Sequence, residues 1–319
     1  MKIVFLEGHG ANPGDCNWDA FDGLGDLTVY GKTKREEMVE RIGDAEAVLV
    51  CLYTGPDKAV IDACPNLKYI GCMSAGFNYL DVAYAKEKGI IVSNIPTYGP
   101  YTVAQYTISL LLEICGQVGH HAAEVRKGRW AAENYWCFWD YPLIELAGKT
   151  MGVVGLGRIG KYTARMAKAF GMNIIAYDEY QDDEGREIAE YVDFDTLLAR
   201  SDVISLHSPL FESNKGMINK NTIAKMKDGV IILNAARGPL IVEQDLADAL
   251  NSGKVYAAGL DTTATEPVGL ENPLTTAKNC YITPHIAWAP RESRQRLVDL
   301  AAANLKAFQE GKPINVVNQ

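Results

Sequence analysis

Three side chains of complementary chemistry, Arg237, Glu266 and His285, lie shortly after apolar runs in the second half of the chain. Reduction of a 2-keto acid needs a fixed cation that holds the carboxylate and polarises the carbonyl, and the guanidinium of Arg237 offers a rigid fork of donors. It also needs an acid for the developing alkoxide, a task that suits histidine because its ordinary pKa lies near neutrality. A carboxylate such as Glu266 would fix the imidazole tautomer and stabilise the imidazolium. These residue types therefore predict acid–base chemistry at a carbonyl group.

The apolar runs before these residues are predicted strands, and ligands of doubly wound folds bind at the carboxyl ends of such strands. Four of these runs are followed by segments that contain polar or ionisable side chains. The segments are His207-Ser208-Pro209-Leu210, Asn234-Ala235-Ala236-Arg237-Gly238, Asp261 with Glu266-Pro267, and Pro284-His285-Ile286-Ala287. We therefore expect Arg237, Glu266 and His285 to converge on one edge of a sheet.

A glycine-rich segment lies between two predicted strands in the middle of the chain. The strand Met151–Val154 is followed directly by Gly155-Leu156-Gly157-Arg158-Ile159-Gly160, by a helix through Phe170, and by a strand that ends before Asp178. A lone G-x-G-x-x-G is a weak signal, but strand, glycines, helix, strand and acid in this order indicate a dinucleotide-binding Rossmann unit.

Each part of this unit has a physical function. Gly155 permits the tight turn, Gly157 lets a pyrophosphate approach the helix N-terminus, and Gly160 lets the helix lie close to the strand. Asp178 is expected to accept hydrogen bonds from the adenosine ribose hydroxyls, and its charge would repel a 2′-phosphate. The predicted cofactor is therefore NAD.

Short apolar runs and helical stretches alternate along the whole chain, which is typical of parallel sheets covered by helices on both faces. The predicted strands are Lys2–Leu6, Ala47–Cys51, Tyr69–Cys72, Ile90–Ser93, Met151–Val154, Asn173–Tyr177, Val203–His207, Val230–Asn234, Ala257–Asp261 and Tyr281–Thr283. Two long helices are predicted, one from about Tyr101 to Lys127 and one from about Arg291 to Glu310. The fold class is therefore α/β, with two doubly wound parallel-sheet domains.

The domain organisation follows from length and from the position of the glycine-rich segment. A chain of 319 residues exceeds what one hydrophobic core usually spans. Because the Rossmann unit begins in mid-chain, another α/β domain should precede it, and the C-terminal helix could return to that domain. We predict a discontinuous substrate-binding domain over 1–98 plus 289–319 and an NAD-binding Rossmann domain over 99–288, with the active site in the cleft between them.

Charge and composition disfavour several kinds of partner. With a net charge of −9, the chain gains nothing from a phosphate backbone, so nucleic acid is not an expected partner. The longest apolar stretch, Ile108–Val118, is interrupted by Glu113, so no membrane-spanning helix is predicted. The seven cysteines contain no C-x-x-C and indicate buried thiols in a reducing, cytoplasmic compartment. No cluster of cysteine or histidine ligands predicts a metal site.

Over essentially its full length the chain resembles the D-isomer-specific 2-hydroxyacid dehydrogenases. The stretches that carry this resemblance are Gly155–Gly160 with Asp178, His207–Leu210, Asn234–Gly238, Asp261 through Glu266-Pro267, and Thr283-Pro284-His285. Within that family it is most similar to the glycerate dehydrogenases, also called hydroxypyruvate reductases, at Val118–His121, Gly128–Trp130, Phe138–Asp140, His285–Trp288, Asn304–Phe308 and Asn315–Asn318. The resemblance implies a flavodoxin-like substrate domain and hydride transfer between NAD(H) and hydroxypyruvate or glyoxylate.

The resemblance also implies a set of site residues. Arg237, Glu266 and His285 are the implied catalytic set. The loop at Ser74, Ala75 and Gly76 would bind the substrate carboxylate, because small residues after a strand expose backbone amides. The implied cofactor contacts are Val103, Gly155, Gly157, Arg158, Ile159, Gly160, Asp178, His207, Ser208, Pro209, Ala235, Ala236, Arg237, Asp261, His285 and Ala287. For His207, a contact through its backbone alone and a role as a strand cap both stay open.

Other functions are compatible with parts of this pattern. Formate dehydrogenases of this fold resemble a Gln–His pair, which Glu266 argues against. A dehydrogenase of phosphite or of a D-lactate-type acid would retain the Arg–Glu–His set, and a non-catalytic NAD-sensing protein is the alternative from a different class. The resemblance further implies a homodimer through the Rossmann domain, and an aromatic loop with Trp136, Phe138 and Trp139 is typical of a segment that reaches into a partner subunit.

Overall fold

The computed structural model describes residues 1–51 and 54–319. The strands are β1 (Lys2–Phe5), β2 (Asp26–Val29), β3 (Ala47–Val50), β4 (Tyr69–Cys72), β5 (Ile91–Ser93), β6 (Thr150–Val154), β7 (Asn173–Tyr177), β8 (Glu190–Tyr191), β9 (Val203–Leu206), β10 (Val230–Asn234), β11 (Val255–Leu260) and β12 (Cys280–Ile282). The α-helices are α1 (Gly8–Ala11), α2 (Met38–Ile42), α3 (Lys58–Ala63), α4 (Val82–Glu87), α5 (Pro100–Gly116), α6 (Val118–Arg126), α7 (Arg129–Ala132), α8 (Arg158–Ala169), α9 (Asp183–Ile188), α10 (Phe194–Arg200), α11 (Lys220–Lys225), α12 (Glu243–Ser252) and α13 (Arg291–Gln309). Short 3₁₀ helices cover Asp19–Phe21, Arg35–Glu37, Gly238–Leu240 and Pro273–Thr275.

These elements form two compact units, one of Met1–Gly99 with Trp288–Gln319 and one of Pro100–Ala287. Each unit contains a parallel sheet with helices packed on its faces, so the predicted α/β class with two parallel-sheet domains is confirmed. Across the two described ranges, no helix combines the length and the apolar character that crossing a membrane requires.

The first unit is built on a sheet of five described strands in the order β2-β1-β3-β4-β5. Side chains that alternate along these strands enter two separate cores, as strand geometry dictates. Val4 and Ile70 face the core that contains α2, α3 and α4, and Ile3 and Leu49 face the core that contains α13. Helix α13 presents an apolar stripe to that core, since its buried members there include Leu297, Ala301 and Leu305.

The second unit contains a sheet of seven described strands in the order β12-β11-β10-β9-β6-β7-β8. The chain runs from β6 outward to β7 and β8 and then returns to β9 on the other side of β6, so the strand order reverses at β6. Ligands of doubly wound sheets bind beyond the carboxyl ends of the strands at such a reversal. Helices α5 and α8 cover one face of the sheet, and α10, α11 and α12 cover the other.

The prediction of one helix from Tyr101 to Lys127 is wrong, because the structure has two helices there. Helix α5 ends at Gly116, and Gln117 adopts a left-handed backbone (φ 48°, ψ 41°) before α6 begins at Val118. The side chain of Gln117 is buried and donates a hydrogen bond to the hydroxyl of Tyr281. This contact joins residues far apart in sequence, so a pattern of local periodicity does not reveal the break.

Candidate active site

Three glycines follow β6 and differ in what surrounds them. Gly155 has a φ of 91°, which residues with a side chain rarely adopt, and a Cβ there would lie 2.7 Å from the backbone N of Ser208. A Cβ on Gly160 would lie 2.1 Å from the carbonyl oxygen of Gly155. A Cβ on Gly157 would meet no described atom within 4 Å. The fold itself therefore requires the first and third glycines, whereas the second borders open space at the start of α8.

Asp178 follows β7, and two backbone amides hold its carboxylate. The N–H of Leu156 donates to Oδ2 over 2.6 Å, and the N–H of Tyr180 donates to Oδ1 over 2.9 Å. Each carboxylate oxygen retains a lone pair that can accept a hydrogen bond from a hydroxyl. The contact with Leu156 places this anionic acceptor beside the glycine loop.

The residues at this edge fit a bound dinucleotide. The open space at Gly157 adjoins the first turn of α8, where free backbone N–H groups and the helix dipole favour a pyrophosphate. Asp178 offers the acceptor that a ribose needs. His207 Nδ1 and Ser208 Oγ, at the end of β9, are buried and have no hydrogen-bond partner within the described part of the chain. Buried polar groups without partners are uncommon in folded proteins, so these atoms point to a ligand.

His285 and Glu266 are joined side chain to side chain. The Nδ1–H of His285 lies 2.8 Å from Oε2 of Glu266, to which it donates, and Oε1 of Glu266 accepts the N–H of Thr263 over 3.1 Å. Burial acts to raise the pKa of Glu266, but the hydrogen bond and charge of His285, the Thr263 amide and the charge of Arg237 outweigh it and lower the pKa. Glu266 is therefore an ionised acceptor near neutral pH, and it keeps a proton on Nδ1 of His285.

Asp261, at the end of β11, holds the loop that carries His285. Its Oδ1 accepts hydrogen bonds from the hydroxyl of Thr283 over 2.7 Å and from the N–H of Ile286 over 3.0 Å. Its Oδ2 accepts the N–H of Ala287 over 2.8 Å. Burial raises the pKa of the Asp261 carboxyl, although these hydrogen bonds act in the opposite direction. Within the loop His285 adopts a left-handed backbone with a φ of 53°, so the loop presents the ring from a turn rather than from a strand.

Arg237 follows β10 on a loop that Asn234 braces. The side-chain amide of Asn234 donates to the carbonyl of Arg237 over 2.9 Å, and its Oδ1 accepts the N–H of Ala236 over 3.0 Å. A Cβ on Gly238 would lie 2.0 Å from the backbone C of Thr263, so this loop packs directly on the loop that leads to Glu266. The structure thus brings Arg237, Glu266 and His285 together at one edge of the sheet.

The other predicted site residues are placed as follows. Ser74, Ala75 and Gly76 follow β4 in the first unit, where the Ser74 hydroxyl donates to the Gly76 carbonyl over 2.6 Å. Val103 lies in the first turn of α5, and Arg158 and Ile159 begin α8. Pro209 is exposed, Ala235 and Ala236 are half-buried, and Ala287 is buried. Their contacts with substrate or cofactor stay predictions.

Two supporting residues of this site were not predicted from the sequence. Thr263 anchors Glu266 through its backbone N–H, and Ser205 hydrogen-bonds the ring of His207 over 2.8 Å. A backbone N–H exists at nearly every position, so nothing in the residue type of Thr263 marks it. Ser205 did carry a signal, since it is a polar residue inside an apolar strand that ends at a histidine.

This whole edge of the sheet lies within a segment that resembles a known protein family. A family model described as the D-isomer specific 2-hydroxyacid dehydrogenase, NAD binding domain, matches residues 108–287, which is more than half of the chain. The chain belongs to this family. The matched residues include the glycine loop, Asp178, Arg237, Glu266 and His285.

Relatives of this dehydrogenase cover its whole length. A hydroxypyruvate reductase of Blautia hydrogenotrophica is 55% identical over 323 residues, with 100% of both chains covered. A glycerate dehydrogenase of Methylorubrum extorquens is 39% identical over 320 residues, covering 99% of this chain and 98% of the relative. The solved D-lactate dehydrogenase from Aquifex aeolicus complexed with NAD and lactic acid has a TM-score of 0.82 at 30% identity, covering 100% of this chain and 99% of its own.

Membership of this family makes the protein an NAD-dependent oxidoreductase that interconverts a 2-keto acid and its D-2-hydroxy acid. The predicted enzyme class and the predicted cofactor are thereby confirmed.

Proposed function

We propose that this dehydrogenase is a reductase of hydroxypyruvate or glyoxylate, with His285 as the general acid and base. The 2.8 Å contact between Glu266 and His285, next to the loop of Arg237, is the observation that carries the proposal. The name of the 55% identical relative, hydroxypyruvate reductase, supports this choice of substrate. NADH, when bound, would supply the hydride for C2 of the keto acid.

The residues of this chain would divide the remaining work among them. Arg237 would hold the carboxylate and polarise the carbonyl through its guanidinium fork. His285 would deliver the proton from Nε2 to the developing alkoxide, because Nδ1–H is engaged by Glu266. Glu266 would stabilise the imidazolium form of His285, which donates the proton during reduction and forms again during oxidation, and its lowered pKa keeps it ionised for that role.

Binding of substrate and cofactor would use backbone groups as much as side chains. The amides of Ser74, Ala75 and Gly76 are proposed to bind the substrate carboxylate. Asp178 would accept the ribose hydroxyls. The cofactor would further contact Val103, Gly155, Gly157, Arg158, Ile159, Gly160, His207, Ser208, Pro209, Ala235, Ala236, Asp261 and Ala287.

The role of His285 can be tested without disturbing its backbone. Asparagine is the substitution of choice, because it tolerates the left-handed conformation of this residue better than alanine does. We expect His285→Asn to lower kcat with hydroxypyruvate by about 10²- to 10⁴-fold, the usual contribution of a general acid. NADH affinity, measured by fluorescence titration, should stay within a few fold of the wild type. His120→Asn is the matched control, since His120 hydrogen-bonds Asp140 outside this site. Turnover by His285→Asn within a few fold of wild type would contradict the assignment.

The substrate is tested by steady-state NADH oxidation with hydroxypyruvate, glyoxylate and pyruvate, and by NAD reduction with phosphite. We expect the highest kcat/KM with hydroxypyruvate or glyoxylate, and a preference for NADH over NADPH because of Asp178. A higher kcat/KM with pyruvate or phosphite would assign the protein to another branch of the same fold. Absence of activity with all of them would favour the NAD-sensing alternative.

We also propose that the enzyme is a homodimer assembled through the second unit. Exposed aromatic side chains support this, because Trp136 and Trp139 are 75% and 61% exposed on the loop after α7. Three polar side chains hold that loop in place. His120 Nε2 and a guanidinium nitrogen of Arg129 each lie 2.6 Å from Oδ2 of Asp140.

We also propose a cytoplasmic location for the enzyme. This is supported by the seven cysteines, each of which is a free thiol.

A further inference from the structure

The segment that follows β9 carries unpaired polar atoms against the glycine loop. Among the residues described, nothing hydrogen-bonds His207 Nδ1 or Ser208 Oγ, and both atoms are buried. The N–H of His207 donates to the carbonyl of Val154 over 2.7 Å. A Cβ on Gly155 would lie 2.9 Å from the backbone C of His207. The two unpaired atoms therefore belong to a segment packed directly on the turn that begins the dinucleotide site.

Ser205 determines which nitrogen of the His207 ring carries the proton. Burial lowers the pKa of His207 to about 4, so near neutral pH the ring is neutral and holds one proton. Ser205 Oγ lies 2.8 Å from Nε2, and Ser205 is completely buried with no second side-chain partner in the described ranges. If Nε2–H donated to Ser205, the serine hydrogen would remain unpaired inside the sheet, which is costly. Ser205 therefore donates to Nε2, and the ring proton resides on Nδ1.

We propose that Nδ1–H of His207, assisted by Ser208 Oγ, donates a hydrogen bond to an oxygen of the bound NAD(H). The acceptor is a phosphate or ribose oxygen, since these are the oxygens that a dinucleotide presents to a glycine loop. The side chain of His207, and not only its backbone, is thus a cofactor ligand, with Ser205 as its positioning residue. This inference rests on NAD(H) binding by the second unit and is independent of the substrate and of the role of His285.

Two isosteric substitutions separate the two ring nitrogens. The side-chain amide of asparagine reaches the position of Nδ1, whereas that of glutamine reaches the position of Nε2. We expect His207→Gln to weaken NADH binding by about five- to tenfold, as loss of one neutral hydrogen bond does. His207→Asn should stay within about twofold of wild type. His120→Gln is the matched control, because His120 lies on α6, pairs with Asp140 and is not part of the glycine loop.

Fluorescence titration of the intact enzyme with NADH is the measurement. An NADH Kd for His207→Gln within twofold of wild type would overturn the proposal and leave the proposed reductase untouched. Equal losses in both His207 variants would also overturn it, since they would indicate a general effect of removing the ring. Failure of the wild-type protein to bind NADH would overturn both the inference and the NAD-dependent function.

A second measurement uses the wild-type chain and does not depend on how a variant folds. Nitrogen-15 NMR of histidine-labelled protein distinguishes the two neutral tautomers, and the His207 signal is identified by its absence in His207→Asn. We expect the Nδ1–H tautomer, a shift of the Nδ1 resonance on addition of NADH, and a mixture of tautomers in Ser205→Ala. An Nε2–H tautomer in the wild-type protein, or an Nδ1 resonance unmoved by saturating NADH, would overturn the proposal.

Discussion

The backbone N–H of Ala287 donates to Oδ2 of Asp261 over 2.8 Å, and this contact fastens the loop of His285 to the end of β11. The same carboxylate also holds Thr283 and Ile286 through Oδ1. Asp261 therefore fixes the position of the loop that carries His285, although its own side chain does not hydrogen-bond the His285 ring in the contacts described above. It follows that the proposed proton donor is positioned by a buried carboxyl group that does not itself exchange the proton.

We expect Asp261→Asn to lower kcat by about ten- to a hundredfold. The amide NH₂ of asparagine cannot accept the hydrogen bond that the carboxylate oxygen at that position accepts. The loop would then shift, and the reaction slows steeply when the His285 ring moves away from the substrate. The free energy of unfolding should change less than the rate does, since asparagine also removes the cost of burying a charge. Steady-state kinetics and urea unfolding check the two quantities. Asp248→Asn, on the exposed face of α12, is the control. An unchanged kcat in Asp261→Asn would contradict this positioning role.

We expect a substitution at Gly160 to lower the thermal stability and a substitution at Gly157 to weaken NADH binding instead. Gly160→Ala forces a Cβ to 2.1 Å from the Gly155 carbonyl, so we expect a lower Tm, because a backbone contact of this kind is relieved only by moving the turn. Gly157→Ala meets no described atom within 4 Å, and we expect a wild-type Tm but NADH binding weakened by about tenfold or more. Thermal unfolding and NADH titration of both variants provide the check. A stable Gly157→Ala that binds NADH normally would show that the pyrophosphate does not approach this residue.

The ion pair between Asp15 and Arg294 predicts a pH-dependent stability. The hydrogen bond from Arg294, whose side chain is 9% exposed, lowers the pKa of Asp15 from 3.8 to about 2. Because the folded-state pKa is depressed, the pair stabilises the fold fully above pH 3.8 and loses this contribution as the pH falls through about 2. We expect Asp15→Asn to lower Tm at pH 7, with the deficit shrinking below pH 4. Asp22→Asn, on the exposed end of the first 3₁₀ helix, should show neither effect. A deficit that persists unchanged at the lowest pH at which the wild type stays folded would refute this account.

The aromatic loop after α7 predicts the assembly state. We expect Trp136→Ser combined with Trp139→Ser to raise the dimer dissociation constant by about thirtyfold or more, because buried tryptophans dominate such interfaces. Light scattering at graded protein concentrations measures it. Leu270→Ser, at a position 93% exposed in the loop after Glu266, is the control for loss of an exposed apolar side chain. A double variant that dimerises like the wild type would place the interface elsewhere.

Much of the sheet architecture is predictable from the sequence because the central strands are buried on both faces and read as continuous apolar runs. Strands such as β3 and β10 lie where the apolar pattern predicts them. Strands β2 and β8 were not predicted. Both lie at the edge of their sheets, and β2 exposes most of its residues. Their pairing with the neighbouring strand creates them, and that pairing is not visible in local periodicity.

The residue types of the candidate site are predictable from the sequence, whereas the hydrogen bonds that position those residues are less so. Arg237, Glu266 and His285 were recognisable because strand ends converge and because their chemistry is complementary. The hydrogen bonds of Asp261 to a loop more than twenty residues away, and the tautomer that Ser205 selects at His207, depend on three-dimensional proximity. Residue type and spacing alone do not contain such relationships.

The reversal of strand order at β6 has a consequence for how such an enzyme can change over evolutionary time. Asp178, at the end of β7, lies on one side of β6, and the strands that lead to Arg237, Glu266 and His285 lie on the other. With neighbouring strands about 4.8 Å apart, β7 and β10 are separated by roughly 14 Å. The residue proposed for coenzyme preference and the residues proposed for catalysis therefore come from separate segments of the gene, so selection can alter one while the other is retained.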